Sequence, residues 1–257
     1  MKQPLLPKRL IESLGGMFSR ELVIDPDRGD SGEIFRWFLA GKLMGARIST
    51  RNALRTYKEF ERRGVVTPGR IRETGWNGLV EILDAGGYAR YDFSTATKLL
   101  AITDDLLQRY RGDLNVLHEE ATGPRDLEDR IKGLGKGIGD VTANIFLREL
   151  RGVWAKARPA LSPLVLLSAG NLGLLVPGQD PAQSLERFWR RRKIQGFDFR
   201  DFEAALLRLG KEYCKRSRCD ACPLRDLCGM ECRVQRPEHR PCIIPRRARR
   251  GTFRGST

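Results

Sequence analysis

Residues 131–150 read IKGLGKGIGDVTANIFLREL. Just upstream and into this stretch, Leu127, Ile131 and Leu134 fall at i, i+4, i+7, the spacing of one helical face. Gly133 weakens the end of that helix. Gly135, Gly137 and Gly139 then alternate with Lys136 and Ile138. Val141, Ile145 and Leu150, with Phe146 and Leu147 beside them, carry a second apolar helical face. The pattern predicts a helix, a tight glycine hairpin and a second helix. Glycine suits positions of positive φ or close backbone approach. A hairpin that feeds a helix N-terminus aims several free N–H groups in one direction, which makes an anion site. The same glycines would serve a plain connector, so the hairpin alone leaves both readings open.

The rest of the chain narrows the choice. Its 257 residues are enough for one large or two modest domains. The formal net charge is +15, with 47 Lys and Arg against 32 Asp and Glu, and this excess argues for a polyanionic partner. No N-terminal apolar run resembles a signal peptide, and no segment is apolar for long enough to span a bilayer. The sequence therefore reads as intracellular and without a membrane partner. Outward from the hairpin the periodicity is helical throughout, with no strand alternation. Leu5, Leu6, Leu10 and Leu14 predict an amphipathic helix ending at Gly15 and Gly16, and residues 25–32 a polar linker. Phe35, Phe38, Leu39, Leu43 and Ala46 predict a mostly apolar helix central to a core. Further helices are expected over 51–63, from Thr67 and Pro68, over 76–83, 94–110, 161–175 and 181–192. A last one, marked by Phe202, Leu206, Leu209 and Tyr213, runs into Cys214. This is an all-α fold of about ten helices, with boundaries good to ~2–4 residues.

All six cysteines lie between Cys214 and Cys242, and in a reducing compartment such crowding reads as metal binding. Cys214, Cys219, Cys222 and Cys228 are spaced C-x4-C-x2-C-x5-C, with Cys232 and Cys242 outside the run as free thiols or a spare pair. Four thiolates on one loop suit a [4Fe–4S] cluster or a tetrahedral zinc. The uneven spacing favours the cluster, because structural zinc more often takes two separated cysteine pairs. Lys211, Lys215, Arg216, Arg218 and Arg225 make the loop basic, and Arg216 and Arg218 are candidate phosphate contacts. Residues 233–257 hold eight arginines against Glu238, a composition that predicts a flexible basic tail.

Together, hairpin and cysteine loop resemble the helix-hairpin-helix DNA glycosylase superfamily, in its endonuclease III branch. Lys136-Gly137-Ile138-Gly139 is similar to the end of the family's leucine-proline-glycine-valine-glycine hairpin, with lysine in place of the proline, and Thr142-Ala143-Asn144 also match. Cys222-Pro223-Leu224 and Asp226-Leu227-Cys228 are close to the family's C-x6-C-x2-C-x5-C loop, although the first gap is two residues shorter here. Asn171-Leu172-Gly173-Leu174 and Gly87-Tyr88 resemble two further family segments, so the likeness runs over about residues 33–228. It implies two helical domains with duplex DNA across the groove between them. One is a helical barrel of residues 31–153. The other joins 1–30 to 154–232 and holds the cluster. It also implies that a monomer contacts DNA through Gly135, Lys136, Gly137, Ile138, Gly139, Val141 and Thr142.

The family chemistry is removal of a damaged base flipped out of the duplex. The residues at the family's catalytic positions differ here. Val141 stands where bifunctional members carry the Schiff-base lysine, so strand cleavage by that route is not expected. Ser162 stands where the family carries its aspartate, and no Asp or Glu occurs between Arg151 and Gln179. A neutral hydroxyl lacks the charge that would stabilise a cationic sugar. Met44 or Gly45 replaces the glutamine that wedges into the base stack. Asp140 is a weak catalytic candidate and a better helix cap. Asp104, Asp105, Glu119 and Glu120 read as surface charges, and His118 and His239 as structural or surface residues. Three functions follow: a monofunctional, atypical DNA glycosylase; a DNA-binding scaffold without the chemistry; and an iron–sulfur, redox-responsive DNA-binding regulator.

Overall fold

The computed structural model describes residues 5–228. Cys232, Cys242, His239 and the basic tail lie outside them. Within them the chain is all-α, with no strand and one isolated bridge between Arg151 and Trp154. In chain order the helices are α1 Leu6–Leu14, α2 Phe18–Glu21, α3 Ser31–Met44, α4 Thr50–Arg62, α5 Pro68–Ala85 and α6 Asp92–Tyr110. Then come α7 Leu114–Glu120, α8 Pro124–Gly133, α9 Asp140–Arg148, α10 Pro163–Asn171, α11 Pro181–Arg190 and α12 Phe199–Glu212. No described helix is long and apolar enough to cross a membrane.

The helix starts carry the expected chemistry. Asp30, Ser49, Thr67, Ser162, Asp180 and Asp198 each cap a helix by accepting an N–H near its start. The stretch expected as a polar linker is more ordered than that. Pro26–Arg28 form a 3-10 turn, Asp25 caps it, and Ser31 and Gly32 already belong to α3. Residues 68–85 are two helices meeting at Gly75 (φ 67°, ψ 177°), in line with the separate starts seen in the sequence.

Apolar side chains form two clusters. The larger is built around α3, whose Phe35, Trp37, Phe38, Leu39 and Leu43 are all buried, and it takes in α4 to α9. The smaller joins Leu6 and Leu10 of α1 to α10, α11, α12 and Leu224. The larger cluster also takes in residues on either side of 31–153. Phe18, Leu22 and Ile24 pack into the larger cluster, as do Trp154 and Ala157. Trp154 is held there by stacking on His118 at 4.7 Å and meeting Phe146 edge-on at 5.5 Å.

A buried polar seam joins the clusters. The Glu149 carboxylate accepts the N–H groups of Phe18 and Ser19, both at 3.0 Å, and stands 3.9 Å from Arg148. Burial raises the pKa of Glu149 and lowers that of Arg148. Arg208 lies over the Phe18 ring at 3.7 Å. Across the same seam Arg200 grips Asp27 at 2.7 and 2.9 Å, and Arg151 pairs with Glu203 at 2.8 Å. Removing one partner of such a pair strands a buried charge, so the seam fixes how the halves meet.

Candidate nucleic-acid interface

The hairpin joins α8 to α9. Leu127, Ile131 and Leu134 are fully buried and anchor α8 in the larger cluster. Two of the three alternate glycines are required by geometry. A Cβ on Gly135 would stand 2.9 Å from Ile102 Cγ1. Gly137 has φ +92°, and its Cβ would meet Lys98 Cδ at 3.0 Å. Gly139 is in extended conformation with open space around it, so neither reason applies to it.

Gly139 is the N-cap of α9, and no side chain caps this helix. Helical geometry therefore leaves the N–H groups of Asp140, Val141 and Thr142 without intrahelical partners. Asp140, expected as the cap, is instead the first helical residue; its exposed carboxylate stands 3.3 Å from Lys132 Nζ. Val141, expected on the apolar face, is 65% exposed. The core face is set by Thr142, Ala143, Phe146 and Leu147, because α9 packs tightly on α3. Gly45 makes the slot: a Cβ there would stand 2.1 Å from Thr142 Oγ1. Thr142 is thus only 3% exposed, and Ile138 is buried as well. Their side chains face inward, so the outward surface of the hairpin consists of its backbone, the Lys136 side chain, Asp140 and Val141.

Beneath the hairpin lies a feature that sequence reading missed. Lys42 of α3 is 4% exposed, and its Nζ stands 3.5 Å from where a Gly137 Cβ would be. Lys98 of α6 approaches the same glycine from the other helix. Burial, with Lys98 adding to it, pushes the Lys42 pKa down to about 8. Among the described residues neither lysine makes an ion pair. The available signal was Lys42 itself, the lone charge between Trp37 and Met44 in the apolar α3 pattern.

The loop to α10 is tied to α9: Asn144 Nδ2 donates to the Ala160 carbonyl at 2.7 Å. Two residues on, Ser162 caps α10, its Oγ accepting the Val165 N–H at 3.3 Å. Met44 is half-buried against the larger cluster. His118 is stacked on Trp154, and burial lowers its pKa. Glu120 pairs with Arg130, and Asp105 with Arg109.

The cysteine loop follows α12 with two 3-10 turns, Cys214–Arg216 and Arg225–Leu227. Leu224 plugs the smaller cluster, and Arg9 of α1 clamps the loop at the Asp226 side chain and the Pro223 carbonyl, both at 2.7 Å. Cys214, Cys219, Cys222 and Cys228 are all half-buried, and Cys228 Sγ donates to the Asn171 carbonyl at 3.4 Å. Burial pushes the Cys214 thiol up to about 11, with Cys222 and Cys228 adding to the rise. The donor set fits a thiophilic centre in chemistry: four cysteines on one loop supply the sulfur ligands such a centre takes, and a bound cation would favour their thiolate form. Among the described residues, however, no three His, Cys, Asp or Glu side chains are grouped so as to hold a metal ion. Arg218 is exposed, and Arg216 is exposed beside Glu212 at 3.3 Å. Lys211 reaches across to Thr50 Oγ1 at the start of α4, at 2.5 Å.

No family model matches the chain, and no curated protein matches it.

Proposed function

We propose that this chain binds duplex DNA at lesions or distorted sites, with a phosphate held at the hairpin between α8 and α9. The observation that carries the reading is the coincidence of two features at one place. The N-terminus of α9 is uncapped, and two lysine side chains with no carboxylate partner converge under Gly137 just behind it. Amide dipoles and ammonium charge then act on the same anion. Lys136 adds an exposed cation on the outer side, and the net charge of +15 supplies sequence-independent attraction to a polyanion.

Cys214, Cys219, Cys222 and Cys228 are the residues that would hold a [4Fe–4S] cluster, or zinc in the alternative. Bound there, the group would cross-link the loop and offset the crowded thiolates. The resemblance to the endonuclease III branch supports this reading through the spacing of these cysteines and the hairpin sequence.

The residues at the two catalytic positions point away from the family reaction. An exposed valine cannot form a Schiff base, and the Ser162 hydroxyl is engaged in capping α10. DNA binding without base excision is therefore the preferred form. A panel of lesion-bearing and intact duplexes tests it. Tighter binding to the distorted duplexes with no abasic sites at saturating protein is expected. Abasic sites would establish the glycosylase reading instead, and equal, negligible binding to every duplex would end both. Affinity that changes on oxidation would favour the redox-responsive regulator.

A further inference from the structure

Two aromatic side chains stand exposed where α5 meets the start of α6. Trp76 is 40% exposed and Phe93 is 60% exposed, with ring centroids 5.3 Å apart and planes tilted by 37°. The fold holds them in place without covering them. The break at Gly75 starts the second half of α5 at Trp76. Trp76 Nε1 donates to Thr97 Oγ1 at 3.0 Å, and Thr97 Oγ1 donates to the Phe93 carbonyl at 3.0 Å. A pinned indole beside a second ring is a rigid surface, and leaving it in water forgoes the gain of burying apolar area.

Its position names an occupant. Thr97 is followed by Lys98, whose chain lies against Gly137 of the hairpin, so Phe93 and the lysine that reaches the hairpin are about 7.5 Å apart along the axis of α6. Arg72 and Arg90 are exposed nearby in sequence, and the only acid next to the rings on α6, Asp92, accepts the Phe93 N–H at 2.7 Å. An exposed apolar face beside a lysine with no carboxylate partner fits a nucleobase on its phosphate chain better than an apolar protein segment. We propose that Trp76 and Phe93 form a stacking platform for an unpaired base of the DNA strand whose phosphate the hairpin holds. The inference rests on the DNA-binding reading and adds to it a preference for strands with a gap or a displaced base.

Intrinsic fluorescence gives a direct test, because Trp37, Trp154 and Trp189 are buried and Trp76 alone is open to solvent. In the full-length protein, a duplex carrying an oligothymidylate gap should quench Trp76 and shield it from acrylamide, and the intact duplex should do so less. Phe93→Ala should weaken binding of the gapped duplex by about 5- to 100-fold while leaving the intact duplex bound as before. Lys136→Glu should weaken both. Circular dichroism shows that each variant is folded, and Phe93→Leu should keep the fold while giving the same loss as Phe93→Ala. Unchanged gapped-duplex affinity in both Phe93 variants overturns the platform and leaves the hairpin reading standing. No binding of either DNA by the wild type overturns the hairpin reading, and the platform with it. Loss of self-association in Phe93→Ala, without loss of gapped-duplex affinity, would assign the rings to a second copy of this chain.

Discussion

The glycine hairpin and the cysteine loop are both short irregular links beside a helix, but they are held in opposite ways. The hairpin gets its shape from the protein alone. Ile138 is buried, Gly135 lies on Ile102, and α9 is seated on α3 through the Gly45–Thr142 contact. The cysteine loop has one fully buried apolar side chain, Leu224, a clamp from Arg9 and four half-buried thiols. One link is specified by close packing and backbone geometry. The other has few packing contacts and carries the four thiols proposed above as ligands. Packing leaves the hairpin rigid with its polar groups facing out, whereas thiols left alone contribute little to order.

This contrast gives a ranked set of expectations. Under the proposed metal ligation, Cys222→Ser should remove the cross-link and destabilise the smaller cluster by on the order of 3 kcal/mol or more, with loss of the iron or zinc that the wild type would carry. Thermal unfolding and metal analysis check this, and an unchanged melt would put the loop in the same self-sufficient class as the hairpin.

Lys42 comes next. Its pKa in the folded protein, about 8, lies below the ordinary 10.5. The unfolded chain therefore holds the proton more tightly, and the penalty is fully present below pH 8. The contribution of Lys42 to stability should rise as pH climbs from 8 towards 10.5, by about 3 kcal/mol. Lys42→Met should abolish that rise and be the more stable protein at neutral pH, as denaturant unfolding across the range would show. A wild-type profile parallel to that of Lys42→Met over this range would mean that Lys42 has a counter-charge.

Within the hairpin, Gly137→Ala should cost about 1–2 kcal/mol because of its positive φ and the crowding of Lys98. Gly139→Ala should cost less than about 1 kcal/mol, the usual difference at an N-cap. Equal losses would show that the alternate glycines share one role. The smallest effect is expected for Val141→Lys. The position is exposed, so stability should stay within about 0.5 kcal/mol. Duplex affinity should rise modestly from the added charge.

Much of the fold was legible in the sequence. Heptad-like apolar spacing located α3, α6, α8 and α12, and Thr67-Pro68 marked the start of α5. What was not legible depended on partners far along the chain. Spacing alone does not tell whether Val141 or Thr142 faces the core. Gly45 decides that, almost a hundred residues earlier, by leaving room for Thr142 and no more. Residues 25–32 read as a linker because they are polar, yet Asp27 is held by Arg200, 173 positions away. The setting of Phe18 depends on a distant partner in the same way. Phe18 is apolar in either setting, and the buried Glu149 that accepts its N–H draws it to the larger cluster. At the candidate site the hairpin glycines and cysteines could be read from spacing. The two lysines beneath Gly137 could not, since they come from separate helices.

The central claim is that the hairpin holds a phosphate. Duplex affinity measured over a range of salt concentrations, for the wild type and Lys136→Glu, tests it most directly. The wild type should show log affinity falling linearly with log salt, and Lys136→Glu should bind more weakly with its slope reduced by about one charge. Identical affinity and slope in the two proteins, or no duplex binding at all, would contradict the account.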